Sequence, residues 1–334
     1  MARITSKTTG GSDLPMPERQ TIIELTNLSK QFRGWLALNQ VSLDISNRVT
    51  GLLGPNGSGK STLIKHLLGL IAPTHGHGTV FGLDIRSDRL QIRQRIGYMP
   101  EDDCYIDGIT GVEMVQMSAQ FFGMQRLEAL RRAHEILDFC GFRQERYREI
   151  SGYSTGMRQQ IKFAAAIVHN PDFLILDEPT SGLDPEERER LLWRVQFLNR
   201  EFGMGVLLST HILPDVQLIC DEVVILAGGQ VRAHKLLEEL QTRRQWILRF
   251  DMTSVQQMET LERLARQQGF ECHWDKTAEA YSLTTDDVDL ESVSDSIWRL
   301  AKEANIQVRQ LFPTEESLEQ IFLKTIEGTM HATS

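Results

Sequence analysis

The sequence predicts an α/β protein with a mostly parallel sheet, an antiparallel β subdomain, a helical subdomain and a small C-terminal α+β domain. Three observations predict this. Two continuous apolar runs, "DFLILDEP" and "MGVLLSTH", are typical of strands buried on both faces of a parallel sheet. A glycine-rich loop at residues 54–61 separates a strand-like segment from a helix-like one. Residues 241–330 follow the order β-α-β-β-α-β, which favours a ferredoxin-like domain.

The composition of the chain limits the classes of function that it can have. The chain has 334 residues, enough for about two domains. Its 45 acidic and 36 basic residues give a net charge of −9. This balance argues against nucleic acid as a main partner, because phosphate backbones are bound by basic faces. The four cysteines are far apart without a CxxC pair, which fits a reducing cytosol. No apolar run approaches the roughly 18 residues of a membrane helix, so a partner chain would have to supply any membrane span.

We expect three regions along the chain. Residues 1–20 lack the apolar core of a signal peptide and are predicted to be a disordered tail. Residues 21–240 begin with alternating β-like runs and include helical apolar spacing from about residue 104 to 165. Residues 241–330 form the accessory domain, which closes with a helix that has Pro313 near its start.

The segment "GPNGSGKST" is the strongest chemical signal. Its first eight residues match G-x-x-x-x-G-K-[ST] in full, between a strand and an amphipathic helix. Glycines let the backbone wrap closely around a phosphate, with N–H groups and the helix N-terminus facing the anion. We expect Lys60 to reach the β- and γ-phosphates and the Ser61 hydroxyl to bind Mg²⁺. An incidental glycine turn is the alternative, which this context disfavours. The predicted ATP-binding residues are Gly54, Pro55, Asn56, Gly57, Ser58, Gly59, Lys60, Ser61 and Thr62.

Acidic residues end the strand "LILDEP". Asp177 is expected at the carboxyl edge of the sheet, where it can hold Mg²⁺ through water. Glu178 follows, and strand alternation predicts its side chain on the other face, as general base toward an attacking water. A capping or solvated acid pair is the alternative, which we favour less beside a phosphate loop. His211 ends the next strand, where we favour a γ-phosphate contact over a structural role.

The motifs "GPNGSGKST", "YSTGM", "LILDEP", "SGLD" and "STH", in this order, resemble the ATPase subunit of an ABC transporter over roughly residues 21–235. The ending "ESLEQIFLKTI" is similar to the "SLEDVF" ending of bacterial multidrug, polysaccharide and Nod-factor exporter ATPases. The resemblance implies a P-loop NTPase fold and Mg²⁺-dependent ATP hydrolysis. It further implies an integral-membrane permease partner, export, and a peripheral position on the cytoplasmic face of the cell membrane. A soluble ABC ATPase acting on a non-transport partner is the alternative.

The same resemblance gives "YSTGM" the position of the family's LSGGQ signature. Ser154, Thr155 and Gly156 would then close over the γ-phosphate held by the P-loop of another subunit. That subunit would be a second copy of this chain or a similar ATPase, arranged head to tail. Asp184 would be a dimer contact. A helix cap with no further role is the alternative for "YSTGM".

Two more positions follow from the resemblance. Phe32 occupies the place of an aromatic residue that stacks on adenine, with Trp35 the less favoured candidate and a core role open to either. Glu101 replaces the family's Q-loop glutamine and is expected to keep its role as a metal ligand.

Overall fold

The computed structural model describes residues 20–241, 244–250, 255–275, 280–285 and 290–315, together with Leu318 and Phe322. Contacts between residues divide the chain into two compact units, residues 1–234 and 235–334. Apart from Gln20, the predicted tail lies outside the described residues.

The first unit contains both strands and helices. Its strands are β1 (Thr21–Phe32), β2 (Trp35–Ser46), β3 (Val49–Leu53), β4 (His75–Val80), β5 (Leu83–Asp84), β6 (Ile96–Met99), β7 (Phe173–Asp177), β8 (Gly205–Ser209), β9 (Glu222–Ala227) and β10 (Gln230–Leu236). Its helices are α1 (Lys60–Leu67), α2 (Arg89–Arg95), α3 (Gly111–Phe121), α4 (Arg126–Phe139), α5 (Thr155–Ile167), α6 (Pro185–Phe202) and α7 (Leu213–Ile219).

The first sheet is antiparallel, as predicted, with strand order β2-β1-β4-β5. In β1 and β2, buried apolar side chains such as Ile23, Leu25 and Leu43 alternate with exposed polar ones. Because successive side chains point to opposite faces, one face of the sheet packs in the core and the other is exposed to solvent. The sheet therefore forms the predicted antiparallel β subdomain.

The second sheet is mostly parallel, with strand order β10-β9-β3-β8-β7-β6. β3, β7, β8 and β9 are buried along their whole length, which explains their continuous apolar runs. Asp177 at the end of β7 pairs with Ser209 at the end of β8, and Leu52 of β3 pairs with Ser209 as well. The segments that follow these three strands consequently leave the sheet at one edge, where ligands bind in open α/β sheets.

Helices α3, α4 and α5 pack against one another and form the predicted helical subdomain. α3 begins with a capping box: the Thr110 hydroxyl accepts from the Glu113 N–H, and the Glu113 carboxylate accepts from the Thr110 N–H. Its buried stripe includes Val112, Val115 and Ala119. Among the described residues, no helix combines the length and apolar character needed to span a bilayer.

The second unit contains α8 (Leu237–Gln241), β11 (Arg244–Phe250), α9 (Val255–Gln267), β12 (Glu271–Asp275), β13 (Ala280–Thr285), α10 (Leu290–Glu303) and β14 (Val308–Glu315). Its antiparallel sheet has the order β12-β13-β11-β14. This order confirms the predicted ferredoxin-like fold. Leu248 and Tyr281 of the sheet pack in one core with Leu261 of α9 and Ile297 of α10.

The predicted start of the closing helix is wrong. β14 continues through Pro313, which pairs with Trp246 of β11. Among the described strands, β14 is an edge strand, the position in a sheet where proline is tolerated. Beyond Glu315, Leu318 and Phe322 are helical, and the rest of the predicted helix lies outside the described residues.

Candidate functional site

A cavity of about 420 Å³ lies at the carboxyl edge of the parallel sheet. It brings together thirteen of the residues predicted from sequence: the nine of the phosphate loop, with Glu101, Asp177, Glu178 and His211. Trp35 is the other described residue that lines it. The segments that follow β3, β6, β7 and β8 are distant in sequence. They meet at this edge of the sheet and together form one site.

The phosphate loop wraps around the start of α1. Gly59 has a φ of 110°, and a Cβ there would lie 2.7 Å from the Ala37 carbonyl oxygen, so only glycine fits. The buried Lys60 ammonium donates to the carbonyl oxygens of Gly54, at 2.7 Å, and Pro55, at 3.4 Å. The Lys60 side chain thus bonds the backbone at the start of the phosphate loop, while Ser61 is exposed at the start of α1. This arrangement presents N–H groups, a helix N-terminus and a cation to an anion.

Asp177 is 5% exposed at the end of β7. Burial raises the pKa of Asp177, and the charges of Glu101 and Glu178 add to the rise. The nearby Ser209 hydroxyl and the charge of Lys60 act in the opposite direction on this pKa. The carboxylate therefore lies in a site where negative charge is crowded and a cation would be stabilised.

Glu178 does not continue the strand, which corrects the expectation that it faces away from Asp177. Its φ is 48°, a left-handed conformation rare for residues other than glycine, and its N–H donates to the Ser209 carbonyl oxygen at 2.8 Å. The backbone turn brings both carboxylates to the same cavity. Glu178 Oε2 lies 2.9 Å from His211 Nδ1. An ionised carboxylate only accepts hydrogen bonds, so Nδ1 carries the hydrogen in this pair.

Ser154, Thr155, Gly156 and Asp184 form a second cluster, defined by the starts of α5 and α6. Ser154 Oγ accepts from the Met157 N–H at 3.2 Å, and Asp184 Oδ1 accepts from the Glu187 N–H at 2.8 Å. A Cβ at Gly156 would overlap the Glu187 carboxylate, so the two helix starts lie side by side. None of the described residues that line the cavity belongs to this cluster.

Comparison with known proteins decides the family. A family model described as ABC transporter matches residues 38–181. The bacitracin transport ATP-binding protein BcrA of Bacillus licheniformis is 30% identical over 310 residues, 92% of this chain and 98% of that protein. The daunorubicin/doxorubicin resistance ATP-binding protein DrrA of Streptomyces peucetius is 33% identical, over 90% of this chain and 91% of that protein. The chain belongs to the ABC transporter ATP-binding protein family. As a member, this ABC ATPase binds and hydrolyses ATP.

Solved cassettes also match the fold of the ABC ATPase. A dimeric structure of the ATP-binding cassette MJ0796 in a post-hydrolysis state, bound to ADP and Pi, is 26% identical with a TM-score of 0.61. It covers 65% of this chain, and 99% of that chain is matched. An ATP-binding subunit of an ABC transporter is 31% identical, also with a TM-score of 0.61, over 66% of this chain and 92% of its own. These likenesses confirm the P-loop NTPase fold.

The two aromatic candidates of the ABC ATPase occupy different places. Trp35 lines the cavity, whereas Phe32 is not among the described residues that do so. The rings are stacked, with centroids 6.2 Å apart and planes 21° apart. The sequence alone could not show which of the two rings reaches the cavity. Phe32 and Trp35 are direct partners across the β1–β2 hairpin, so both lie at the same end of it.

Sequence reasoning missed Lys162, which holds the Glu101 loop of the ABC ATPase. Lys162 lies on α5, is 3% exposed and donates to the carbonyl oxygens of Pro100, Glu101 and Asp102 at 2.9, 2.9 and 3.2 Å. Burial lowers the pKa of Lys162, against the opposing effect of nearby negative groups. The available signal was a lysine within the apolar run "IKFAAAI". A buried lysine needs acceptors, and the loop carbonyls supply them.

Proposed function

We propose that the ABC ATPase binds MgATP in the cavity and closes head to tail on a second copy or a similar ATPase subunit. The observation that carries this is the separation of two anion-binding features within one unit. The cavity already holds a complete phosphate loop, while the exposed Ser154 and Thr155 begin a 13-residue helix outside it. A helix N-terminus favours negative charge. In a head-to-tail pair, this helix start serves the nucleotide of the partner chain, with Asp184 beside it at the contact.

Mg²⁺ fits the oxygen groups of the cavity. The Ser61 hydroxyl and the carboxylates of Glu101 and Asp177 border it, and Mg²⁺ prefers oxygen ligands that it shares with substrate phosphates. Burial raises the pKa of Asp177 and the charges of Glu101 and Glu178 add to the rise, and a bound divalent cation would favour the ionised carboxylate. Among the described residues, no group of three or more His, Cys, Asp or Glu side chains could hold a metal ion by itself. Bound in the cavity, Mg²⁺ would neutralise charge on the β- and γ-phosphates.

We propose that Glu178 is the general base for the water that attacks the γ-phosphate. Its side chain is 7% exposed, borders the cavity and is oriented by His211 Nδ1 at 2.9 Å. A carboxylate in this position accepts the proton of a water as that water attacks the γ-phosphate. With Nδ1 committed to Glu178, the other ring nitrogen of His211 is left for the phosphate. Lys60 and the loop N–H groups hold the phosphates independently of this pair.

We further propose an integral-membrane permease as partner, export as direction and the cytoplasmic face of the cell membrane as location. The names of two relatives, a bacitracin transport protein and a daunorubicin/doxorubicin resistance protein, support the transport role. The helical subdomain also offers contact surface: Phe121 at the end of α3 is 80% exposed and Leu127 in α4 is 69% exposed. Exposed large apolar side chains are suited to a protein interface.

Mixed subunits test the composite site. Ser154→Arg should bind ATP as a monomer but lose turnover, because the long cation blocks the approach of the partner's nucleotide. Lys60→Ala should lose ATP binding. Mixing the two variants should restore activity, to at most one working site per dimer, since each chain supplies the part that the other lacks.

Ser87→Arg, at an exposed serine of the first unit, is the matched control and should keep full turnover. If Ser154→Arg loses binding and hydrolysis equally, or if the mixture stays inactive, the head-to-tail proposal is wrong.

A further inference from the structure

We propose that the buried pair of Thr180 and Asp215 positions the general base, by joining the loop that carries Glu178 to the helix that follows His211. The proposal deepens the proposed function and rests on the role of Glu178 as general base. Neither Thr180 nor Asp215 is among the described residues that line the cavity. The pair therefore acts through Glu178 and His211, and not on the nucleotide itself.

Asp215 is a buried carboxylate with two donors. It lies in the first turn of α7 and is 0% exposed. Its Oδ2 accepts from the hydroxyl of Thr180 at 2.5 Å, and its Oδ1 accepts from Nε of Arg188 on α6. Thr180 is also buried, with 2% of its surface exposed. A buried charge is stable only when it is paired and hydrogen-bonded, so these contacts tie α7 to α6 and to the loop after β7.

The hydrogen bond between Thr180 and Asp215 closes a ring around the general base. Thr180 comes two residues after Glu178, and Asp215 comes four residues after His211. The 2.9 Å contact between Glu178 and His211 and the 2.5 Å contact between Thr180 and Asp215 therefore join the same two segments at two points. Two attachment points fix the relative orientation of two segments, whereas one lets them pivot.

Glu178 and His211 both need this support. The backbone of Glu178 has a φ of 48°, a strained conformation that persists only where the surrounding structure holds it. The N–H of Glu178 donates to the Ser209 carbonyl oxygen, which restrains one side of the turn, and Thr180 restrains the other. The side chain of His211 is 64% exposed, so packing holds it weakly and its position depends on the backbone.

The test removes the hydroxyl of Thr180 in the full chain. Thr180→Val keeps the shape of the side chain and loses the donor. It should lower kcat for ATP by about 10- to 100-fold, the effect of a misplaced catalytic group. The KM for ATP should stay within about threefold of the wild type, because the phosphate loop is unchanged. Thr180→Ser keeps the hydroxyl and should recover most of the rate. Asp215 is left intact, since its loss would strand the partly buried guanidinium of Arg188.

Thr50→Val is the matched control. The hydroxyl of Thr50, which is buried in β3, donates to the buried carboxylate of Glu222 at 2.8 Å. Thr50→Val therefore removes the same kind of hydrogen bond within the same unit. It should lower the melting temperature about as much as Thr180→Val does, yet keep the kcat of the wild type. Equal losses of kcat in the two variants would overturn the proposal.

A double-mutant cycle with Glu178→Gln shows whether Thr180 acts through Glu178. Adding Thr180→Val should not lower the residual rate of Glu178→Gln further, because the base whose position it disturbs is already absent. The proposal is wrong if the two losses multiply, or if Thr180→Val alone keeps the kcat of the wild type. A failure of the proposed function would look different, because Glu178→Gln by itself would then hydrolyse ATP at the rate of the wild type.

Discussion

Replacing Glu178 with glutamine separates the binding of ATP from its hydrolysis. Glutamine has the same shape and keeps an oxygen that accepts from His211 Nδ1, now 2.9 Å from the carboxylate. The left-handed backbone at φ 48° costs a glutamine as much as a glutamate, so the turn is preserved. What disappears is the basic oxygen. General-base catalysis contributes about 10²- to 10⁴-fold in rate, or roughly 3–5 kcal/mol in the activation free energy.

Binding should survive in Glu178→Gln. The charge of Glu178 helps to raise the pKa of Asp177, so its removal favours the ionised form of Asp177. ATP that is bound but not hydrolysed should then accumulate between two chains. On size-exclusion chromatography, the 38.1 kDa chain should shift to twice that mass when ATP and Mg²⁺ are added.

Glu189→Gln, an exposed position on α6, is the control and should hydrolyse ATP normally. Turnover of Glu178→Gln within about threefold of the wild type would remove Glu178 from the base role. A variant that stays monomeric at saturating ATP would refute the dimer that ATP holds together.

Two further substitutions address the metal and the Glu101 loop. Asp177→Asn should weaken Mg²⁺-dependent ATP binding by about 10- to 100-fold, yet raise the melting temperature of the nucleotide-free protein at neutral pH. The stability gain follows because the raised pKa of Asp177 shows that the folded state disfavours the charged carboxylate. Calorimetry measures the ATP affinity and thermal melts measure the stability. Unchanged values in both would contradict this reasoning. Lys162→Met keeps length and loses the donors to three carbonyl groups, so urea unfolding should show a loss of about 1–3 kcal/mol. Lys65→Met, at an exposed lysine, should change nothing, and equal losses in the two variants would exclude a special role for Lys162.

The sequence was sufficient to predict which distant segments meet. Parallel strands end at the same sheet edge, so residues placed directly after β3, β7 and β8 had to converge. Lys60, Asp177 and His211 illustrate this, because each follows or ends an apolar run and all three border one cavity. The second unit was predictable for a similar reason, since its strands and helices carry distinct apolar periods.

The details that escaped prediction depend on backbone angles and on contacts across the sequence. Strand alternation fails at Glu178 because the strand has already ended at Asp177 and the backbone turns left-handed. That Trp35 borders the cavity while Phe32 is not among the described residues that do so depends on how β2 packs on the phosphate loop. Lys162 finds its acceptors about sixty residues earlier in the chain, a pairing that no local pattern encodes.

Pro313 also influences how chains of this ABC ATPase can meet. An exposed sheet edge invites a strand from another molecule, since its free N–H and C=O groups match those of any extended segment. Among the described strands, β14 is one edge of the sheet in the second unit, and Pro313 has no N–H group to donate. An incoming strand would find one donor fewer along β14. Pro313 therefore weakens edge-to-edge pairing of two chains along β14. This favours contact between chains through other surfaces over the growth of a continuous sheet.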